Sequence, residues 1–205
     1  MAKGGEILTK ENIMLSALRL FLLRGYRNVS LVDVAKEIGI TKGGIYHYFE
    51  SKEQLFHACI CYLYDHFGEK YARVFNEEKT FRGILNFLLS EEQDAYFKRL
   101  INVEQGDYRA NNASIALEVI HNFPEIQQRI DRGQLELRNR IEEKLQLAQE
   151  TGEARRDFDP QVVATMILSV SSGLNILGKQ INTADMHRQL IDNIWKFIGI
   201  NDYKE

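Results

Sequence analysis

The chain has 205 residues, 44% of them hydrophobic and 27% charged, with a formal net charge of −3. That length accommodates one domain, or a small one beside a larger one, with enough apolar residues to bury a sizeable core. No apolar run is long enough to cross a bilayer, Met1 to Gly5 does not read as a secretory signal, and two cysteines give no disulfide framework, so a soluble protein of a reducing cytoplasm is expected.

Taken in chain order, Met1 to Leu8 reads as a frayed tail, where Lys3 and, just beyond, Lys10 either touch phosphates or simply face solvent. Thr9 is a plausible cap for a first helix whose inner face is Ile13, Ala17, Leu18 and Phe21 and which Gly25 stops. A second helix opens at Ser30, with Asp33 completing an S-x-x-D box, and Val34, Ala35 and Ile38 line one apolar face. Gly39 stands where the chain must turn sharply, a place for positive φ, and Thr41 caps the next helix, which buries Ile45, Tyr48 and Phe49. Small Ala35, turn-making Gly39 and branched Ile45 are the spacing of a helix-turn-helix, whose second helix can enter the DNA major groove. An ordinary helical hairpin matches the triplet alone, but the caps and the outward polar set agree with the first reading.

On that outer side, Lys42 supplies charge for phosphate or guanine. Gly43 and Gly44 disfavour a helix, so close approach of backbone to DNA is the better reason for their presence. Ser51 to Gln54 forms an S-x-x-Q box opening a fourth helix, and a helix start with Lys52 in its first turn suits a phosphate. Ser30 offers the same, with pure capping as the compatible alternative. Residues 1–52 hold eight Lys/Arg against five Asp/Glu, a charge of +3, and the remainder carries −6, which fits a basic head on an acidic body.

The run from Ala17 to Phe56, with Gly25-Tyr26, Val34-Ala35, Gly39-Ile40, Thr41 to Tyr46, His47-Tyr48-Phe49 and Ser51-Lys52-Glu53, resembles the DNA-binding domain of the TetR family of bacterial transcription regulators. The resemblance implies an all-α fold: a three-helix head, residues 1–52, and a larger helical effector-binding and dimerisation domain, residues 53–205. It implies that Tyr46 hydrogen-bonds a phosphate and that Thr41 and His47 sit at phosphates or base edges, although His47 also reads as a plain surface histidine.

Helix four is expected from Lys52 to about Phe75. His57, Cys61 and Asp65 stand four apart along it, with Cys59 near, a pattern open to metal or redox sensing. Cysteine is more often a small buried hydrophobe and no second ligand cluster follows, so no metal or cofactor is expected. Further helices are expected over Phe81–Leu89, Asp94–Val103, Ser114–His121, Glu125 to about Gln149, Pro160 to Lys179 and Ala184–Ile198, with a polar, turn-prone stretch at Gly106–Asn112. The last two are too apolar for surface helices of a monomer, and the resemblance implies that they pack against their twofold mates (burial within one chain being the alternative). Tyr62, Phe67, Phe87, Tyr96, Phe97 and Tyr108, with His121 and Asn175 as polar anchors, are candidates for a pocket taking an apolar or aromatic effector, although such residues are more often core. His57, His66, His121 and His187 form no catalytic motif, so an enzyme is not expected. The expectation is a ligand-released repressor binding palindromic DNA as a homodimer; the alternative is a ligand-independent or activating protein of the same fold.

Overall fold

The computed structural model describes residues 10–103, 111–178 and 180–200. Its order is α1 (Lys10–Arg24), a 3-10 turn (Tyr26–Asn28), α2 (Leu31–Glu37), α3 (Lys42–Tyr46), α4 (Lys52–Glu77) and α5 (Phe81–Leu89), then α6 (Glu92–Leu100), α7 (Asn112–Asn122), α8 (Pro124–Thr151), α9 (Pro160–Leu174) and α10 (Ala184–Ile198). Among the described residues there is no strand, only one isolated bridge between Ala154 and Gly199, so the fold is all-α as expected. The described residues fall into two compact units, one drawn from Met1–His66 and Phe97–Gln128, the other from Phe67–Tyr96 and Arg129–Glu205.

In the first unit, α1 ends at Gly25, which takes φ +82°. Its inner face, Ile13, Ala17, Leu18 and Phe21, is buried, as are Val34 and Ala35 of α2, Ile45 of α3 and Leu55 and Phe56 of α4, and the Phe21 and Phe56 rings meet edge-on at 5.5 Å. An aromatic cluster closes this core: Tyr26 and Phe56 have ring centroids 4.5 Å apart, and Phe123, just after α7, lies 5.2 Å from Phe56. Asn111 Nδ2 donates to the Leu22 carbonyl at 2.7 Å and Arg27 pairs with Glu118 at 3.1 Å, so the α7 segment is fastened to the helix-turn-helix.

The second unit packs α5, α9 and α10 with parts of α4 and α8 around Phe75, Phe81, Leu85, Ile141, Leu145, Ile167 and Ile198. The last four carbonyls of α5 all find donors: Asn86 from the Ser90 N–H, Phe87 from Gln93 Nε2, Leu88 from Ser171 Oγ and Leu89 from His187. Asp159 caps α9 by accepting from the Gln161 N–H at 2.8 Å, with Pro160 in the first turn.

α9 stops at Leu174, short of the Lys179 expected, and Lys179 itself lies outside the described residues. Gly173 lowers helix propensity there, Asn175 N–H bonds back to Ser172 as a tight turn, and Asn182 Nδ2 takes the Leu174 carbonyl at 2.6 Å. Both α9 and α10 bury one face inside the unit through Val163, Ala164, Ile167, Ile191 and Ile198. Their other sides leave Val162, Met166, Met186 and Phe197 exposed. The connection between them exposes Ile176 and Ile181 as well.

Candidate nucleic-acid interface

The turn that aims α3 is set by backbone chemistry. Ser30 Oγ accepts from the Asp33 N–H at 3.2 Å while Asp33 Oδ2 accepts from the Ser30 N–H at 2.8 Å, a reciprocal box starting α2. At its end Gly39 takes φ +73°, and Ile40 N–H reaches the Ala35 carbonyl at 2.9 Å while Gly39 N–H reaches Lys36 at 3.3 Å. This pair of bonds is the Schellman closure, and it needs a residue free to enter the left-handed region. Thr41 Oγ1 then accepts from the Gly44 N–H at 3.1 Å and starts α3.

Ile45 anchors α3 in the core, which leaves Thr41, Lys42, Gly43, Tyr46 and His47 exposed and Gly44 half-buried. The helix is short, with His47 as its C-cap, although Phe49 N–H still bonds the Ile45 carbonyl at 3.0 Å. A Cβ on Gly43 would meet only Thr41 Oγ1, at 3.9 Å, so the outer side of the first turn is open. The Lys42 ammonium lies 5.8 Å from the centre of the Tyr46 ring, and the rings of His47 and Tyr48 meet edge to face at 5.3 Å.

An open hollow of about 540 Å³ separates α3 from the starts of α2 and α4, and it brings together Ser30, Lys42, Tyr46 and Lys52. Gly43 and Gly44 on α3, and its caps Thr41 and His47, lie outside that lining. Arg27 joins the hollow, a residue with no sequence signal to mark it, because it stands in a short connection with no motif of its own. Its guanidinium is mostly exposed and pairs with Glu118 on one side. Lys52 lays its ammonium 4.2 Å from the Tyr26 ring centre. Burial pulls its ionisation below the ordinary lysine value, opposed by the Glu53 and Glu118 carboxylates. Ser30 Oγ donates to Asp33 at 2.5 Å, so its proton is turned to the cap rather than to the hollow. Hydrogen bonds from the Ser30 side chain, then its backbone, hold Asp33 below the usual carboxylate range.

Other residues singled out in the sequence lie elsewhere. Phe67, Phe87 and Tyr96 do converge in the second unit: Phe67 and Tyr96 are 5.9 Å apart, and Tyr71 links to Phe87 at 5.4 Å. Lys70 places its ammonium 3.6 Å from the Tyr96 ring centre and donates to Gln93 Oε1 at 3.1 Å. Tyr62, Phe97 and His121 belong to the first unit, where Tyr62 donates to Glu11 at 2.6 Å and His121, exposed, faces its own helix at the Leu117 carbonyl. Asn175 donates to the Ser171 carbonyl at the end of α9, and Tyr108 lies outside the described residues. Among the described residues no three His, Cys, Asp or Glu side chains converge to hold a metal ion.

The family model for the N-terminal domain of bacterial regulatory proteins of the tetR family matches residues 13–59, and the tetracyclin repressor-like C-terminal domain matches residues 112–193. Together they take in more than half of the sequence. The chain belongs to the TetR family. TetR-family regulators bind operator DNA and act as dimers. The uncharacterized HTH-type transcriptional regulator YuxN of Bacillus subtilis (strain 168) is 37% identical over 94 residues, 44% of this chain and 28% of that one. The biofilm operon negative transcriptional regulator IcaR of Staphylococcus epidermidis is 22% identical over 120 residues, 57% of this chain and 62% of its own. The chain thus spans less than two thirds of the length of either curated relative. A solved transcriptional regulator of Saccharomonospora viridis in complex with choline superposes with TM-score 0.72 at 23% identity, covering 94% of this chain and 98% of that one, which shows a shared fold. No helix among the described residues is long and apolar enough to cross a membrane.

Proposed function

We propose that this TetR-family chain is a ligand-responsive transcriptional repressor, acting in the cytoplasm as a homodimer on palindromic operator DNA. The observation that carries the reading is the open side of α3: Lys42 and Tyr46 face a hollow shared with Lys52 and Arg27, whose three cations outnumber the Asp33 and Glu50 carboxylates there, beside the bare backbone of Gly43. Lys42, Lys52 and Arg27 neutralise phosphates, Tyr46 donates its hydroxyl to one, and Thr41, Lys42 and His47 reach base edges. Gly43 and Gly44 let the backbone come close, and Ser30 fixes the start of α2 beside the same phosphate path. Residues 1–52 form the DNA-binding head and residues 53–205 the effector-binding and dimerisation body.

The exposed apolar sides of α9 and α10 pair with a second copy, so that one dimer carries two copies of α3, as a palindromic site with half-sites one duplex turn, about 34–36 Å, apart requires. The partly buried aromatic group of Phe67, Tyr71, Phe87 and Tyr96 supports a mostly apolar or aromatic effector. Its binding shifts the population towards a form with the heads wrongly spaced, by no more than its differential affinity for the two forms. Repression is supported by the negative regulator IcaR among the relatives. The test is anisotropy titration of duplex DNA from the region upstream of the chain's own gene. Lys42→Ala weakens binding and makes the logarithmic salt dependence shallower by about one for each phosphate no longer neutralised; Tyr46→Phe weakens it without that change. Affinity unaltered in both variants contradicts the assignment of α3. Unfolding measured across a metabolite library separates a liganded regulator, which is stabilised by its effector, from a ligand-independent one.

A further inference from the structure

The two cysteines stand two residues apart on α4 in opposite surroundings. Cys59 is 1% exposed and its thiol donates to the Met14 carbonyl at 3.2 Å. Burial holds that thiol far above the ordinary thiol range, so it stays protonated and out of reach. Cys61 is partly exposed and follows His57 by one helical turn, its Sγ 3.7 Å from Nδ1 and 4.0 Å from Nε2 of the ring. From the first turn of α8, Glu125 Oε1 lies 3.9 Å from Nε2 of the same ring, ion-pair reach rather than a hydrogen bond. All three belong to one unit, and two separate helices supply them. A partly exposed thiol in contact with an imidazole able to take its proton, with a carboxylate within ion-pair reach of the ring, supplies a nucleophile and its base.

We propose that Cys61 is a covalent modification site for soft carbon electrophiles, with His57 as the base and Glu125 as a positioning residue. With an α,β-unsaturated carbonyl compound the S–H proton passes to His57 and the sulfur bonds the β-carbon. The C=C electron pair shifts toward the carbonyl oxygen as an enolate, and the imidazolium returns its proton to the α-carbon. The adduct keeps every atom of both reactants and needs no oxidant.

Acrylamide is a suitable probe on the native full chain, with peptide mass spectrometry following each cysteine. Cys61 is expected to be alkylated at least tenfold faster than Cys59. His57→Gln slows Cys61 by about tenfold and makes its rate depend more steeply on pH, while the thermal unfolding midpoint stays put. Glu125→Gln acts in the same direction with a smaller effect. Equal rates at the two cysteines overturn the proposal. So does a Cys61 rate and pH profile unchanged in His57→Gln.

Discussion

At Gly43 two requirements pull in opposite directions, since a helix start is weakened by glycine and a DNA-facing backbone is helped by it. Its φ is ordinary and a Cβ there would meet only Thr41 Oγ1 at 3.9 Å, so the fold itself has room for alanine. Gly43→Ala is therefore expected to stabilise the chain by about 0.5–1 kcal/mol in denaturant unfolding while weakening DNA binding. Stabilisation with undiminished DNA affinity contradicts the close-approach role. Asp33 gives a pH-dependent counterpart. Its carboxylate is held below its ordinary value by Ser30, so its contribution is present above the unfolded value, about 4. The contribution is lost as pH falls through the lower folded value. Asp33→Asn should flatten the acid side of the stability profile and leave the alkaline side alone. Residues of this kind were legible in the sequence because their partners lie within five positions: Ser30 with Asp33, Thr41 with Gly44, Gly39 between Ala35 and Ile40. Arg27 and Glu118, 91 positions apart, were not.

Element boundaries followed the same division between local and distant causes. Thr80 and Thr183 cap α5 and α10 through the third residue onward, and both helices, Phe81–Leu89 and Ala184–Ile198, begin and end where the sequence pattern places them. The rest of the support for α5 comes from far along the chain. Glu153 accepts from the Phe81 and Arg82 N–H groups at 2.9 and 3.1 Å, and Ser171 and His187 close the other end. Glu153→Ala leaves those two N–H groups to water and should lower stability by about 2 kcal/mol, measured by thermal or urea unfolding. A loss below about 0.5 kcal/mol would show that Thr80 alone suffices. For α9, composition suggested a helix to Lys179, but the Asn182 amide that claims the Leu174 carbonyl is set by the fold of the connection, which apolar periodicity does not report.

For the whole molecule, the helix-turn-helix was readable from one contiguous stretch, whereas the α7 segment that packs on it was not. Phe123 and Glu118 carry no motif, and they reach the head only through long-range packing and charge. The aromatic residues considered together for a pocket divide between two units for the same reason: helical spacing gives a face, and the fold decides what that face meets. The exposed side of α9 bears on assembly. Met166 is 54% exposed and Val162 55%, one turn apart, so a carboxylate at either costs the isolated chain little and the proposed interface much. Met166→Glu should leave far-ultraviolet circular dichroism intact and convert a dimer to monomer in size-exclusion chromatography; a variant that remains dimeric moves the interface elsewhere. The central claim, that two copies present α3 to successive grooves of one duplex, is tested most directly by sedimentation velocity of the chain with labelled DNA from upstream of its own gene. The account predicts two chains, or a multiple of two, on each duplex at low salt, with release as salt rises. A chain that stays single at micromolar concentration and leaves the duplex sedimenting unchanged would contradict it.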